Sequence, residues 1–265
     1  MHIRTALVVA LLVPAFTAAQ DTTRHSGFFR KSDLALTGIA VAATAGLSAF
    51  DTRIARWTRQ PEVQGDASRH NAIKKVTVVN EMPLTVAALA TYGIGKLTHS
   101  RTVADVGLHL TESLVATAAV SEGVRIALGR ARPRASSTNA YNFRPGRGFS
   151  QFEYRAFPSL HAAVAFATAS SLVEEMRIRK ASASKYATPL LYGAATIPGF
   201  TRLYLDQHWA SDVLAGSFVG ALLGSRMVQH AHGHHTWIDR ALLGAVIAPD
   251  PYGGTRVGLI WRAER

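Results

Sequence analysis

The chain consists of long apolar runs separated by short charged or proline-containing pieces. The runs are rich in alanine, valine, leucine and glycine, and they cover residues 34–50, 76–97, 103–128, 160–173, 188–205 and 213–228. They show little of the alternation of apolar and polar residues that marks a half-buried strand, and they lack the Asn-Gly and Asp-Gly pairs of tight hairpins. We therefore expect an all-α fold, a bundle of about six apolar helices over residues 34–228.

The composition favours a membrane-embedded bundle over a soluble exported one. Charged residues make up 17% of the chain, below the ~25% that is usual for soluble domains. A spanning helix needs about 20 apolar residues, and the run at 34–50 is marginal by that criterion. The acidic residues of the third run, Asp105, Glu112 and Glu122, must face the bundle interior or an interface, unless this helix is soluble.

The N-terminal residues resemble an export signal. Arg4 is followed by an apolar run, residues 6–16, and then by small residues before Gln20. We expect residues 1–19 to be a signal peptide, or else an uncleaved anchor, followed by a polar segment at 20–33. Either form predicts a protein of the cell envelope, in the inner membrane or, as the alternative, soluble or peripherally bound in the periplasm.

The charge of the chain points to an anionic partner. Its 29 Lys and Arg residues exceed its 17 Asp and Glu residues and give a net charge of +12, which fits nucleic acid, lipid headgroups or a phosphorylated substrate. The export signal argues against nucleic acid. Because the chain has no cysteine, a disulfide scaffold, a cysteine nucleophile and a thiolate zinc site are excluded.

One group of candidate catalytic residues begins at the end of an apolar run. His208 and Asp212 are four residues apart, so on a helix they share one face. An aspartate that accepts from one ring nitrogen would orient the imidazole and leave the other nitrogen free to attack. Arg202, just before them, can donate several hydrogen bonds to an oxyanion. Taken alone, the pair could equally be a surface ion pair.

Two earlier segments add an anion site and further cations. Pro158 suits the first turn of a helix, where unpaired backbone N–H groups bind anions, and Ser159 and His161 lie in the same stretch. Arg125 and Arg132 precede them in the chain. We interpret the three segments together as the apparatus for phosphoryl transfer without a metal or cofactor. His208 is the nucleophile and His161 the general acid, while the arginines hold the phosphate oxygens.

The three segments together resemble the signature of the type 2 phosphatidic acid phosphatase and vanadium haloperoxidase superfamily. That signature is Lys-x6-Arg-Pro, Pro-Ser-Gly-His and Ser-Arg-x5-His-x3-Asp. This chain has Arg125-x6-Arg132-Pro133, then Pro158-Ser-Leu-His161, then Thr201-Arg202-x5-His208-x3-Asp212, and the similarity extends over residues 125–228.

The resemblance implies an all-α bundle that hydrolyses lipid phosphomonoesters or diphosphates through a phosphohistidine. The implied substrates are phosphatidate, phosphatidylglycerol phosphate or a polyprenyl diphosphate. It also implies the residue roles. His208, His161 and Asp212 are catalytic, and the phosphate-binding positions are those of Arg125, Arg132, Ser159, Leu160 and Arg202.

Two positions depart from the family pattern. Arg125 stands in place of lysine, which keeps the charge but changes its geometry. Leu160 stands in place of a glycine that would let the backbone approach the phosphate. We expect Leu160 to shade the site or narrow the substrate range, with backbone strain if the position requires a positive φ. A vanadate-dependent haloperoxidase, or an impaired envelope protein of this family, is therefore the alternative to a phosphatase.

Two expectations concern the remaining residues. Seven arginines, at positions 125, 130, 132, 134, 144, 147 and 155, crowd the first motif and its loop, and we expect them to attract the phosphate. The tail, residues 229–265, contains a histidine-rich tract at 230–235, which we expect to be incidental rather than metal-binding. It also contains a run at 255–262 whose alternating apolar residues predict a short strand.

Overall fold

The computed structural model describes residues 28–77 and 81–233, together with the backbone of two strands near the C-terminus. Its nine helices are α1 (Lys31–Ser48), α2 (Asp51–Thr58), α3 (Pro61–Gln64), α4 (Ala67–Val76), α5 (Glu81–Leu97), α6 (Arg101–Leu128), α7 (Leu160–Ile178), α8 (Ser184–Tyr204) and α9 (Ala210–Gly233). The two strands are β1 (Ala245–Pro249) and β2 (Thr255–Leu259), which pair antiparallel. The predicted signal peptide, residues 1–19, lies outside the described residues.

The helical prediction is confirmed, and the strand predicted at 255–262 corresponds to β2. Each apolar run forms one helix, and α9 continues past residue 228 into the segment that we assigned to the tail. The polar stretch between the first two runs also folds, as the short helices α2, α3 and α4. Our placement of Pro158 in a helical first turn is wrong, because α7 begins at Leu160 with Ser159 as its N-cap.

The centre of the bundle is the pair α7 and α9, which approach each other closely. A Cβ atom on Gly220 would lie 1.9 Å from the carbonyl oxygen of Ala163, and one on Gly216 would lie 2.3 Å from that of Ser159. Glycine is therefore required at both positions for the two backbones to touch. This contact brings the first turns of both helices to the same end of the bundle.

One described helix, α6, is long and apolar enough to cross a membrane by itself. Together α1 and α2 satisfy the same criterion, with a bend of 58° between them. The core helix of a soluble protein can also satisfy it, so membrane embedding by six helices stays a prediction.

Candidate active site

The three sequence motifs meet at one end of the bundle. The first motif spans the C-terminus of α6, from Arg125 in its last turn to Pro133, and Gly129 caps the helix with a φ of +57°. The second motif starts α7, and the third runs from α8 through a short loop into α9. The backbone N–H of Ser159 donates to the carbonyl oxygen of Asp212 at 2.9 Å, so a direct hydrogen bond joins the second and third motifs.

His208 is buried in this loop with its two ring nitrogens in different surroundings. Its Nδ1 lies 2.7 Å from the carbonyl oxygen of Ala156. Because a carbonyl can only accept, Nδ1 carries the proton and Nε2 keeps its lone pair. Burial, reinforced by the charges of Arg132 and Arg125, holds the pKa of His208 well below its usual value of 6.5. The imidazole is therefore neutral and has the tautomer that a nucleophile requires.

Asp212 is close to His208 but does not form the hydrogen bond that we expected between them. Its Oδ2 lies 3.6 Å from His208 Nδ1 and accepts instead from the backbone N–H of Trp209 at 2.8 Å. Its Oδ1 accepts from Arg130 at 2.6 Å. Burial raises the pKa of Asp212 to about 6, although Arg130 opposes the shift. Ala156 thus fixes the tautomer of His208, and Asp212 contributes a nearby negative charge.

Arg130 forms the centre of a buried network that the sequence did not reveal. Besides Asp212, its guanidinium donates to Asp51 at 2.8 Å, to the hydroxyl of Ser211 at 2.8 Å and to the carbonyl of Ala140 at 2.8 Å. The side chains of Arg130, Asp51 and Asp212 are 2%, 0% and 0% exposed. Arg130 therefore supports the carboxylate beside His208, and our expectation that it attracts phosphate is wrong.

Three of the predicted phosphate ligands bring positive charge to the two histidines. Arg125, Arg132 and Arg202 all lie near enough to lower the pKa of both His161 and His208. Arg132 is held by the side-chain oxygen of Gln207 at 2.6 Å. Burial lowers the pKa of Arg132 to about 9. A buried cluster of like charges is unfavourable without an anion, so the arrangement favours anion binding.

Arg125 and Arg202 are positioned from the ends of two different helices. The Nε of Arg125 donates to the carbonyl of Arg155 at 2.9 Å, and its guanidinium also pairs with Glu122. Arg202 contacts Nε2 of His161 through its Nη2. Because an arginine can only donate, this ring nitrogen of His161 is unprotonated in the free site. Burial and the charge of Arg202 likewise hold the pKa of His161 far below 6.5.

Several buried polar atoms at this end of the bundle have no partner among the described residues. They are the hydroxyl of Ser159, Nε of Arg202 and one carboxylate oxygen of Glu81. The first two can donate to an anion, which agrees with their predicted role. Glu81, which we did not predict, acts electrostatically on both Arg125 and Arg202. An acidic side chain at the start of an apolar run was the only signal that could have identified it.

Leu160 turns away from the phosphate-binding groups. Its side chain is buried in an apolar cluster with Leu110, Leu114 and Val164. It begins a regular helix and is not among the described residues that have a positive φ. Our expectations that Leu160 shades the site or strains the backbone are therefore wrong. At this position only its backbone N–H, one of the unpaired groups of the helical first turn, can contribute to anion binding.

The other loop arginines are less involved than we expected. Arg134 pairs with Glu153 at the surface, and the guanidinium of Arg155 donates to the carbonyl oxygens of Gly148 and Phe149. The positive charge that bears directly on the histidines thus comes from three arginines. These three arginines lie close to both imidazoles, an arrangement that would suit a tetrahedral anion.

The chain is similar to two known proteins. The lipid A 1-phosphatase of Porphyromonas gingivalis is 27% identical over 166 residues, which cover 63% of this chain and 32% of that protein. This chain therefore corresponds to about a third of that relative's length. A solved transmembrane PAP2-type phosphatidylglycerolphosphate phosphatase from Bacillus subtilis covers 73% of this chain and 98% of its own, with 18% identity and a TM-score of 0.38.

The family comparison covers the part of the chain that builds the site. The model of the PAP2 superfamily matches residues 106–239, which is half of the chain and includes all three motifs. The chain therefore belongs to the PAP2 superfamily.

Proposed function

We propose that this protein is a metal-independent phosphatase that hydrolyses lipid phosphomonoesters or diphosphates through a phosphohistidine at His208. One observation carries the proposal: a buried, neutral imidazole with a free Nε2 lies beside three arginines and two unpartnered donors. Such donors are oriented before the substrate arrives, so they stabilise the charge that develops on the phosphoryl oxygens.

In the first half of the reaction, Nε2 of His208 attacks the phosphorus atom. A P–N bond forms while the bond from phosphorus to the leaving oxygen breaks, and that oxygen takes a proton from His161. The ring of His208 becomes positively charged, which Asp212, 3.6 Å away, stabilises. In the second half His161 takes a proton from water and the water oxygen attacks phosphorus. The P–N bond then breaks, its electron pair returns to Nε2 of His208, and inorganic phosphate leaves.

Substrate binding favours the protonated form of His161 that the reaction needs, and the proton comes from solvent. In the free site the neighbouring arginines disfavour its charged form. A bound phosphate places negative oxygens among the same arginines, so the pKa of His161 rises when the substrate is present. His161 would then act as an acid only in the complex, which limits unproductive protonation of the free enzyme.

A lipid substrate and a membrane location are supported by the outer surface of the bundle. Large apolar side chains project from α1, α5 and α8, among them Leu34, Met82 and Leu190, which are 77%, 69% and 73% exposed. Apolar surface of this kind marks contact with a membrane or a partner. The relative from Porphyromonas gingivalis is named for a lipid substrate. We place the protein in the inner membrane with its site facing the periplasm. Retention in the pellet after a carbonate wash tests the association.

The substrate class is tested by phosphate release from purified protein. Phosphatidate, phosphatidylglycerol phosphate and a polyprenyl diphosphate are offered in detergent micelles with EDTA present. We expect phosphate release from at least one of them, its loss in His208→Gln, and full activity in His99→Asn, a matched change of an exposed histidine. Failure to release phosphate from any lipid phosphate, with or without EDTA, would contradict the proposal. Peroxide-dependent halide oxidation with vanadate would instead favour the haloperoxidase alternative.

A further inference from the structure

A second cluster of buried titratable side chains lies far from the catalytic histidines. Glu175 is near the C-terminal end of α7, about four turns or roughly 21 Å along the helix from His161. Its Oε1 lies 2.5 Å from Nδ1 of His109 on α6 and 3.0 Å from Nε2 of His232 on α9. One carboxylate oxygen therefore faces two imidazoles that come from two other helices.

The geometry of this cluster suits a metal ion. One donor atom from each of the three side chains lies within 4.8 Å of the other two. Two ligand atoms bound to a tetrahedral Zn²⁺ at about 2.0–2.2 Å lie about 3.3–3.6 Å from each other. The two contacts of Oε1 would therefore lengthen by about 1 Å or less to admit the ion. Two histidines and one glutamate are a common zinc ligand set that leaves a fourth position for water. Because water completes such a site, no further protein ligand is required.

Burial makes the cluster hard to explain as a simple ion pair. The side chains of His109 and Glu175 are 2% and 4% exposed. A buried carboxylate is costly unless it is well paired, and a bound cation would offset that cost by direct bonds to Oε1 and to one nitrogen of each ring.

Arg179 is a nearby cation that could oppose metal binding. It donates to the other oxygen of Glu175, Oε2, at 2.9 Å, so Oε1 stays available as a ligand. Its charge is also matched by Asp105, 3.2 Å away. Such an outer contact orients the ligating carboxylate, as second-shell groups do in known metal sites. Arg179 and Glu175 line an open cleft on the surface of the bundle, which gives an ion a path to the site.

We propose that His109, Glu175 and His232 bind one Zn²⁺ ion, which ties α6, α7 and α9 together at the end of the bundle opposite the catalytic site. The site uses His232 alone from the histidine-rich tract, at variance with our expectation that the whole tract is incidental. Because the site lies far from His161, the ion would stabilise the folded bundle and take no part in phosphoryl transfer. The inference is therefore independent of the proposed function.

The proposal is tested by zinc binding to the full chain, first stripped with a chelator. Calorimetry and elemental analysis should find one tightly bound Zn²⁺ per chain, and the ion should raise the melting temperature. We expect His232→Ala to weaken binding by about a hundredfold or more, because even second-shell changes cost 10–100-fold. His230→Ala, a change in the same last turn of α9, should bind as the wild type does. Glu175→Gln keeps the shape of the side chain but removes its charge, and it should also weaken zinc binding. It therefore tests the proposal even if the alanine variant fails to fold.

Three results would overturn the proposal. The first is the absence of stoichiometric zinc binding by the wild type. The second is a zinc affinity of His232→Ala and Glu175→Gln that equals that of the wild type. The third is an equal loss of zinc affinity in His230→Ala and His232→Ala. Phosphate release is measured separately on the stripped protein. Phosphate release by the zinc-free protein agrees with the proposal. Phosphate release that is lost with zinc and returns when zinc binds at this site would contradict the structural role of the ion.

Discussion

Replacing Arg130 by methionine should destabilise the protein strongly while leaving the phosphate-binding arginines in place. Arg130 is the common partner of Asp51 and Asp212, whose side chains are fully buried. Methionine keeps much of the volume but leaves both carboxylates without their cation. Removal of one partner from a buried ion pair costs about 3–5 kcal/mol, which is a large part of the roughly 5–15 kcal/mol that stabilises a typical protein.

The matched control is Arg134→Met in the same loop. Arg134 pairs with Glu153, but the two side chains are 40% and 42% exposed, and a surface pair of this kind contributes about 0–1 kcal/mol. The two variants should therefore differ by at least about 2 kcal/mol. Urea unfolding of both purified proteins, followed through the fluorescence of buried Trp209, measures the difference.

A further substitution identifies the cause of the loss. Adding Asp51→Asn to Arg130→Met removes one of the stranded charges, so the double variant should recover part of the stability. The reasoning is refuted if Arg130→Met is no less stable than Arg134→Met. It is also refuted if Asp51→Asn destabilises the Arg130→Met protein further, because the cost would then not arise from unpaired carboxylates.

Three shorter predictions concern the site itself. The value of kcat/KM should fall as the pH drops through about 6, the pKa to which burial raises Asp212, because protonation removes the charge that stabilises the His208 cation. Asp212→Asn should lower the plateau of the pH profile and abolish its acidic limb. An acidic limb that persists in this variant would contradict the assignment. Binding of vanadate should raise the pKa of His161, seen in its NMR titration, because the anion offsets the neighbouring arginines; an unchanged titration would argue against their proximity. Leu160→Gly should lower the free energy of unfolding by about 2–5 kcal/mol, as core truncations do, with kcat/KM little changed; a rise in kcat/KM would show that Leu160 does shade the site.

The sequence predicted the features that depend on neighbouring residues. Apolar runs of helical length identify the helices because their composition is local. The spacing of four predicted that His208 and Asp212 lie close together, although His208 precedes α9 and only Asp212 lies in it. Partners that are distant in the chain could not be predicted. The acceptor for His208 is the carbonyl of Ala156, a main-chain atom that has no sequence signal. The Arg130–Asp51 pair joins residues 79 positions apart.

Helix rotation set a second limit on prediction. The family pattern has glycine at the position of Leu160, which suggested that the leucine shades the site, yet the rotation of α7 turns the leucine into the core. The same holds for His109, which lies within the apolar run at 103–128, and for Glu175, which follows the run at 160–173. Packing of α6 against α7 brings them together, and no local pattern encodes that rotation.

The most direct test of the central claim is the identification of the phosphorylated residue. Purified protein, as wild type and as His161→Ala to slow the second half-reaction, is mixed with the lipid phosphate that it hydrolyses best and quenched within one turnover. Mass spectrometry at alkaline pH, where phosphohistidine survives, then locates the phosphoryl group. We predict a single modified residue, His208, and no modification in His208→Gln. Phosphate on another side chain, or turnover with His208 replaced, would contradict the mechanism.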